Sequence, residues 1–310
     1  MRVFEKLNDC LILFKDYLFS ERNLSENTIS AYFSDLGQFT EYFMSITEDS
    51  EYNEKKGLDG IFEIEHVDSY IIWLSQKMFE NTSIHRKISS IAVYFKFLKL
   101  EHLIEQNPAI FLIRPKLGVK LPIYLTVDEV ERLLDTFSKE SIYGVRDFAL
   151  YELMYSAGLR VSEIVALNIE DIFWDERLVK VCGKGDKERF VPIGDRAIGA
   201  LDNYINTARV ALECRIKKRS NVLFLNYRGQ RLTRKGIWKN IKEARIKAGI
   251  EKEVKVHTLR HSFATHLVQN GADIRYVQSF LGHKCINTTE IYTHLDMRHV
   301  KKSYERGMEK

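Results

Sequence analysis

The chain has 310 residues, of which 45% are hydrophobic and 29% charged, and a formal net charge of +4. That length accommodates two domains with cores of their own, and the composition is that of a soluble globular protein rather than a disordered one. No uninterrupted apolar run approaches the ~20 residues of a membrane span, and the N-terminal MRVFEKLNDC carries acidic residues without a small-residue cleavage site, unlike a signal peptide.

Cys10, Cys182, Cys214 and Cys285 stand apart without CxxC spacing, the pattern of reduced thiols in a cytoplasm, so a cytoplasmic location and no membrane association are expected. The net charge hides an asymmetry. Residues 1–115 hold 12 Lys/Arg against 18 Asp/Glu, a net of −6, and the remainder holds 35 against 25, a net of +10. A basic second half points to a polyanionic partner, although a solvated basic face is the ordinary meaning of such a bias.

In chain order, the cluster Phe14, Tyr17 and Leu18 predicts a helix near residues 6–19. Ser25 is a plausible N-cap for a helix whose stripe is Ile29, Tyr32, Phe33, Leu36, Phe39 and Phe43. The acidic stretch 47–60 reads as a surface loop. Val67, Tyr70, Ile71, Leu74 and Met78 form a third stripe. Ile84, Ile88, Ile91, Ala92, Phe95 and Leu98 form a fourth, behind Ser83 as candidate cap. Four helices make a small bundle over residues 1–107. Pro108, Pro115 and Pro122 then fall amid Arg114, Lys116 and Lys120, marking 108–122 as a stiff basic linker.

Residues 123–310 read as a second, mostly α domain with a small β-sheet. Thr126 caps an amphipathic helix through Val130, Leu133 and Leu134, another helix is expected over 147–157, and strands 178–181 and 189–191 flank a turn at 183–186. Helical patterns resume around 237–248 and continue to the end. Four motifs here carry chemistry: GLRVSE (158–163), GKGDKER (183–189), HTLRHSFATHL (257–267) and LGHKCINTTEIYTH (281–294).

Arg160 opens a helix, and Arg260 lies one turn into a helix for which Thr258 is the candidate cap, off the core stripe of Leu259, Phe263, Leu267 and Val268. Guanidinium groups stay charged and grip phosphate oxygens with fork geometry, so the two could stabilise a pentavalent transition state without Mg²⁺. Either arginine by itself would be read as a surface ion pair. His257, three residues before Arg260, can project to the same side and hydrogen-bond or move a proton; capping or packing is the plainer role. Lys184, in a hairpin tip between two glycines, can protonate a leaving 5′-oxygen or simply be solvated. Gly282 closes a helix before His283, and Asn287 with Glu290 resembles a capping box for the next helix. Tyr292 lies beside the Ile291/Leu295 stripe of that helix, as a half-buried aromatic or as a nucleophile for phosphorus. Its phenol titrates near ~10 and would need cationic neighbours. His257, His261, His266, His283 and Cys285 lack the spacing of a zinc site, and no carboxylate cluster suits Mg²⁺, so no metal or cofactor is expected.

Taken together, these motifs and LSENTISAY near the N-terminus, LPIYLTVDEVERLL (121–134), YSAGLRVSEIVAL (155–167) and VCGKGDKERFVPI (181–193) closely resemble the tyrosine recombinases (phage-integrase type), and within them the Xer-like site-specific recombinases, over essentially the full length. The resemblance implies a helical core-binding domain that clasps DNA, followed by an α-rich catalytic domain. It implies an active site of Arg160, Lys184, His257, Arg260 and His283, with Tyr292 as the nucleophile that forms a 3′-phosphotyrosine and Glu163 as an acidic support for Arg160. It implies cleavage and rejoining of a double-stranded DNA recombination site without metal or ATP.

It also implies assembly as a homotetramer, or a heterotetramer with a second Xer-like recombinase, and a role in chromosome-dimer resolution at cell division with a septal DNA translocase as further partner. Integration of a mobile element, or DNA binding without catalysis, are the alternatives. Arg86, Lys87 and Lys96 are the DNA-binding candidates of the first domain, with Ser89 and Ser90 on the same face. The stripe Met297, Val300, Tyr304 and Met308 could dock on a neighbouring protomer, as in the family, or pack on its own subunit.

Overall fold

Helix-forming stripes with aromatic residues every third or fourth position need a partner surface, and the computed structural model shows how each finds one. It describes residues 2–22, 24–47, 62, 64–112, 114–116, 123–183, 187–215, 219–282, 304–305 and 307–308. The chain divides into two compact units, Met1–Lys120 and Leu121–Lys310.

The first unit contains α1 (Arg2–Ser20), α2 (Glu26–Thr47), α3 (Ile64–Gln76) and α4 (Asn81–Leu100). Phe14, Leu36, Phe39, Phe43, Tyr70, Ile91 and Phe95 are buried together. Phe39 lies edge-on to Phe43 and Tyr70, with ring centroids 4.7 and 5.1 Å away, an arrangement that adds to the hydrophobic gain. Ser83 is not a cap: α4 begins at Asn81 behind Glu80, because its first turn is polar and leaves no apolar stripe to read. Of the loop expected at 47–60, Thr47 is the last residue of α2 and the rest lies outside the described residues. Pro108 does not open a linker; Pro108–Ile110 is a 3₁₀ turn capped by the Asn107 side chain, and Pro108 and Leu112 are buried in the first unit.

One polar cluster sits inside this apolar bundle. Asp35 of α2 is 1% exposed and accepts hydrogen bonds from Lys87 Nζ at 3.1 Å and Ser90 Oγ at 2.8 Å, with Arg86 as a third partner. Lys87 is therefore corrected from a DNA-binding candidate to an internal counter-ion: its ammonium is buried and lies over the Phe79 ring. Ser90 is likewise buried. Lys96 and Arg86 are exposed.

The second unit is built around α6 (Ile142–Ser156), buried on nearly every face and packed by α5 (Val127–Asp135), α8 (Asp195–Asn206), α9 (Ala208–Glu213) and α11 (Val256–Gln269). The Thr126/Glu129 capping box opens α5. Ser141 caps α6, which begins at Ile142, five residues before the expected start. The remaining elements are α7 (Val161–Ala166), α10 (Arg234–Lys247), α12 (Ile274–Leu281) and an antiparallel sheet in the order β1 (Ile172–Phe173), β2 (Leu178–Cys182), β3 (Glu188–Pro192). Val181 pairs with Arg189 and Cys182 with Glu188. Helix α11 starts at Val256 behind Lys255; Thr258 sits at its third position, where its hydroxyl accepts from the Lys255 N–H at 2.9 Å. Val268 is exposed rather than part of the core.

Of the C-terminal stripe, Tyr304 is buried in this chain's own core, with its Oη 2.7 Å from Ser156 Oγ, and Met308 packs against the same core. Met297 and Val300 lie outside the described residues. Nearby, Glu152 of α6 is buried 3.0 Å from Arg196 Nε, and Arg196 also pairs with Glu131. Burial pushes the Glu152 carboxyl up to about 7, against the opposing charge of Arg196.

Two stability tests follow from these buried charges. Asp35→Ala strands the Lys87 ammonium and is expected to cost about 3–5 kcal/mol, with Lys87→Met in the same chain recovering most of it in urea unfolding; equal losses in the single and double variants would contradict the pairing. Glu152 holds in the folded state a proton that the unfolded chain releases above about 4.5, so its contribution to stability is complete below that value and is lost as pH rises through about 7. Glu152→Gln is expected to flatten the melting temperature across that window.

Candidate active site

The site begins with a glycine. Helix α6 ends at Ala157, and Gly158 takes a left-handed conformation (φ +58°) that turns the chain directly into α7. A Cβ there would come within 2.3 Å of the Phe263 ring on α11, so only glycine allows the close approach of these elements. Its carbonyl accepts from Arg260 Nη1 at 2.8 Å. Two residues later Arg160 stands at the N-cap of α7. One turn thus carries one arginine and anchors the other.

Glu163, in the first turn of α7, is 3% exposed. Its carboxylate accepts from the Arg160 backbone N–H and from Arg160 Nη1, each at 2.8 Å. Arg260 Nη1 lies 3.7 Å from its second oxygen. Burial opposes ionisation of Glu163, but the hydrogen bonds and charge of Arg189, and then those of Arg160, outweigh it and hold the carboxyl below its ordinary value.

Arg189 of β3 has no role in the sequence reading, yet it grips both Glu163 oxygens at 2.9 Å in a fork while its Nε donates to the Phe280 carbonyl at 2.8 Å. The signal was there: Arg189 and Val191 share the inward face of β3, and a buried arginine demands a buried carboxylate.

Arg260 is 7% exposed, with Nη2 donating to the Leu281 carbonyl. Burial first, and then the charge of Arg160, push it down to about 10, so it remains cationic at neutral pH. Arg160 keeps a third of its side chain exposed. His257, at the first turn of α11, is exposed, and burial of part of its ring, followed by Arg260, His261 and Arg160, pushes its imidazole below the ordinary value. It is therefore neutral at physiological pH and able to accept a proton. Gly282 ends α12 in a left-handed cap (φ +63°) against the Arg189 guanidinium.

The fold therefore brings together Arg160, Glu163 and Arg260, with His257 within their electrostatic reach. Lys184, His283 and Tyr292 lie outside the described residues, as do Asn287, Glu290 and Cys285. The Gly183 N–H donates to the Lys187 carbonyl at 2.9 Å. Among the described residues no group of His, Cys, Asp and Glu has the arrangement of a metal site, and none of their helices is long and apolar enough to cross a membrane. Among the described residues, three guanidinium groups surround one carboxylate, an excess of positive charge.

Residues 124–299 match the Phage integrase family, and residues 11–102 match its N-terminal SAM-like domain. The chain belongs to this family, the tyrosine recombinases, and is a site-specific recombinase enzyme. It is 39% identical to a protein named Tyrosine recombinase XerD from Listeria monocytogenes serotype 4b (strain F2365), over 97% of this chain and 98% of that one. It is 42% identical to a protein of the same name from Staphylococcus aureus (strain Mu50 / ATCC 700699), over 92% and 94%. In fold it is similar to XerH site-specific recombinase bound to palindromic difH substrate (TM-score 0.67, 24% identity, 92% of this chain and 81% of that one). It is also similar to the Tn1549 transposon integrase in complex with circular intermediate DNA (TM-score 0.66, 19% identity, 94% and 98%).

Gly158→Ala combines a left-handed backbone with a clash against Phe263. It should lower the unfolding free energy by about 2–4 kcal/mol, read by urea denaturation; a variant as stable as the parent would contradict the packing described.

Proposed function

We propose that this recombinase cuts and rejoins double-stranded DNA at a specific recombination site through a 3′-phosphotyrosyl intermediate formed by Tyr292. The observation that carries the reading is the convergence of Arg160 and Arg260, a hundred residues apart, on one carboxylate and one glycine turn. In this reading the two guanidinium groups hold the non-bridging oxygens of the scissile phosphate and stabilise its pentavalent transition state. The Tyr292 phenol gives up its proton to His257 and attacks phosphorus. The bond to the 5′-oxygen breaks, and Lys184 protonates the departing alkoxide. His283 hydrogen-bonds the phosphate. A 5′-hydroxyl from a partner duplex then attacks the phosphotyrosyl link, releasing Tyr292 and resealing the strand. One phosphodiester replaces another of similar energy, so neither ATP nor a metal enters the balance.

The near-complete coverage of XerD-named relatives at about 40% identity supports a role on the chromosome. That role is the resolution of chromosome dimers at cell division by a cytoplasmic tetramer, of this chain alone or with a second Xer-like recombinase, alongside a septal DNA translocase. The exposed Arg86 and Lys96 of the first unit suit phosphate contacts.

A duplex nicked beside the scissile phosphate tests the chemistry. The expected result is a covalent protein–DNA adduct that forms in EDTA and is lost in Tyr292→Phe; an adduct of unchanged yield in that variant would sink the assignment. Mapping bound sites across the host genome tests the chromosomal role, which requires a single site near the replication terminus; sites at the borders of mobile elements would replace it with integration.

A further inference from the structure

Arg189 is the most buried of the three arginines in the site and has no place in the chemistry just described. Its side chain is 6% exposed, and each of its three guanidinium nitrogens is engaged. Nη1 and Nη2 meet the two Glu163 oxygens, Nε meets the Phe280 carbonyl, and Gly282 closes over it so tightly that a Cβ there would sit 3.3 Å from Cζ. Among the described residues its partners are this carboxylate and this carbonyl, and its burial turns it away from solvent.

The charge balance shows what it does instead. Glu163 must lie close to Arg160 to aim it, and Arg260 is only 3.7 Å from the same carboxylate. Unopposed, that negative charge would offset one of the two positive charges meant for the phosphate, and would repel the phosphate itself. With Arg189 in a closed fork on Glu163, the pair is neutral, and Arg160 and Arg260 together retain two positive charges; without it they retain one.

We propose that Arg189 is a positioning residue of the recombinase. It neutralises Glu163 so that this carboxylate can orient Arg160 without cancelling the field that Arg160 and Arg260 present to the scissile phosphate, and through Phe280 it secures the helix end that leads to His283. The inference rests on the assignment of the two arginines as phosphate ligands.

A plain structural ion pair between β3 and α7 would be equally buried, so the test must read charge. Single-turnover cleavage of the nicked duplex is measured at saturating protein, with melting temperatures followed in parallel. Arg189→Gln keeps a hydrogen-bond donor but loses the charge, and is expected to slow cleavage by about 100-fold. Adding Glu163→Gln restores the charge balance while an amide oxygen still serves Arg160, and should regain at least about tenfold over the single variant.

A double variant as slow as Arg189→Gln, or slower, overturns the inference. Should Arg189→Gln fail to fold, the neutral pair Glu163→Gln with Arg189→Leu takes its place: a folded, cleaving protein supports the inference and a folded, inactive one overturns it. An adduct that survives Tyr292→Phe sinks the site assignment and this inference with it, whereas a Tyr292-dependent adduct with additive losses sinks this inference alone.

Discussion

A carboxylate buried among three guanidinium groups is the constraint on which the catalytic unit depends. Glu163 cannot be left alone in a low-dielectric interior, and each partner it recruits comes from a different part of the chain: Arg160 from its own helix, Arg189 from the last strand and Arg260 from α11. Satisfying one buried charge therefore draws a helix, a sheet and a second helix to one point. Among the described residues the cations around this ion outnumber it three to one.

The first unit solves a related problem on a smaller scale. Asp35 sits inside an aromatic bundle and is satisfied by a lysine, a serine and an arginine, all on α4. There two cations meet one carboxylate and fix the pairing of α2 with α4. In the catalytic unit three cations meet one carboxylate and tie a helix, a strand and a second helix together.

Much of this was legible in the residues. The four stripes of the first unit, the Thr126 capping box, the strands flanking 183–186 and the start of α7 at Arg160 follow from periodicity and turn chemistry; Met78 departs from its stripe, lying beyond the end of α3 and 88% exposed. The start of α4 at Asn81 is displaced because its first turn is polar, and an apolar pattern carries no information there. The face assigned to Lys87 was wrong for a different reason. Helical spacing places a cation on a side of α4 but does not reveal that Asp35, over fifty residues away, waits there. The partner of Arg189, Glu163, is likewise distant in sequence and on a different element. Pairings between remote segments are tertiary facts, and a one-dimensional pattern reports only the local half of each.

Two of the bonds that seat Arg260 end on main-chain oxygens, those of Gly158 and Leu281, and Arg189 leans in the same way on that of Phe280. Peptide carbonyls are present whatever residue occupies the position. Drift at 280 and 281 can reshape the packing, yet no point mutation deletes these acceptors. Such anchors leave no correlated substitutions for a comparison of related genes to detect. The docking of the clamp is inherited through backbone shape, and the two left-handed glycines beside it are the places where heredity can still spoil it.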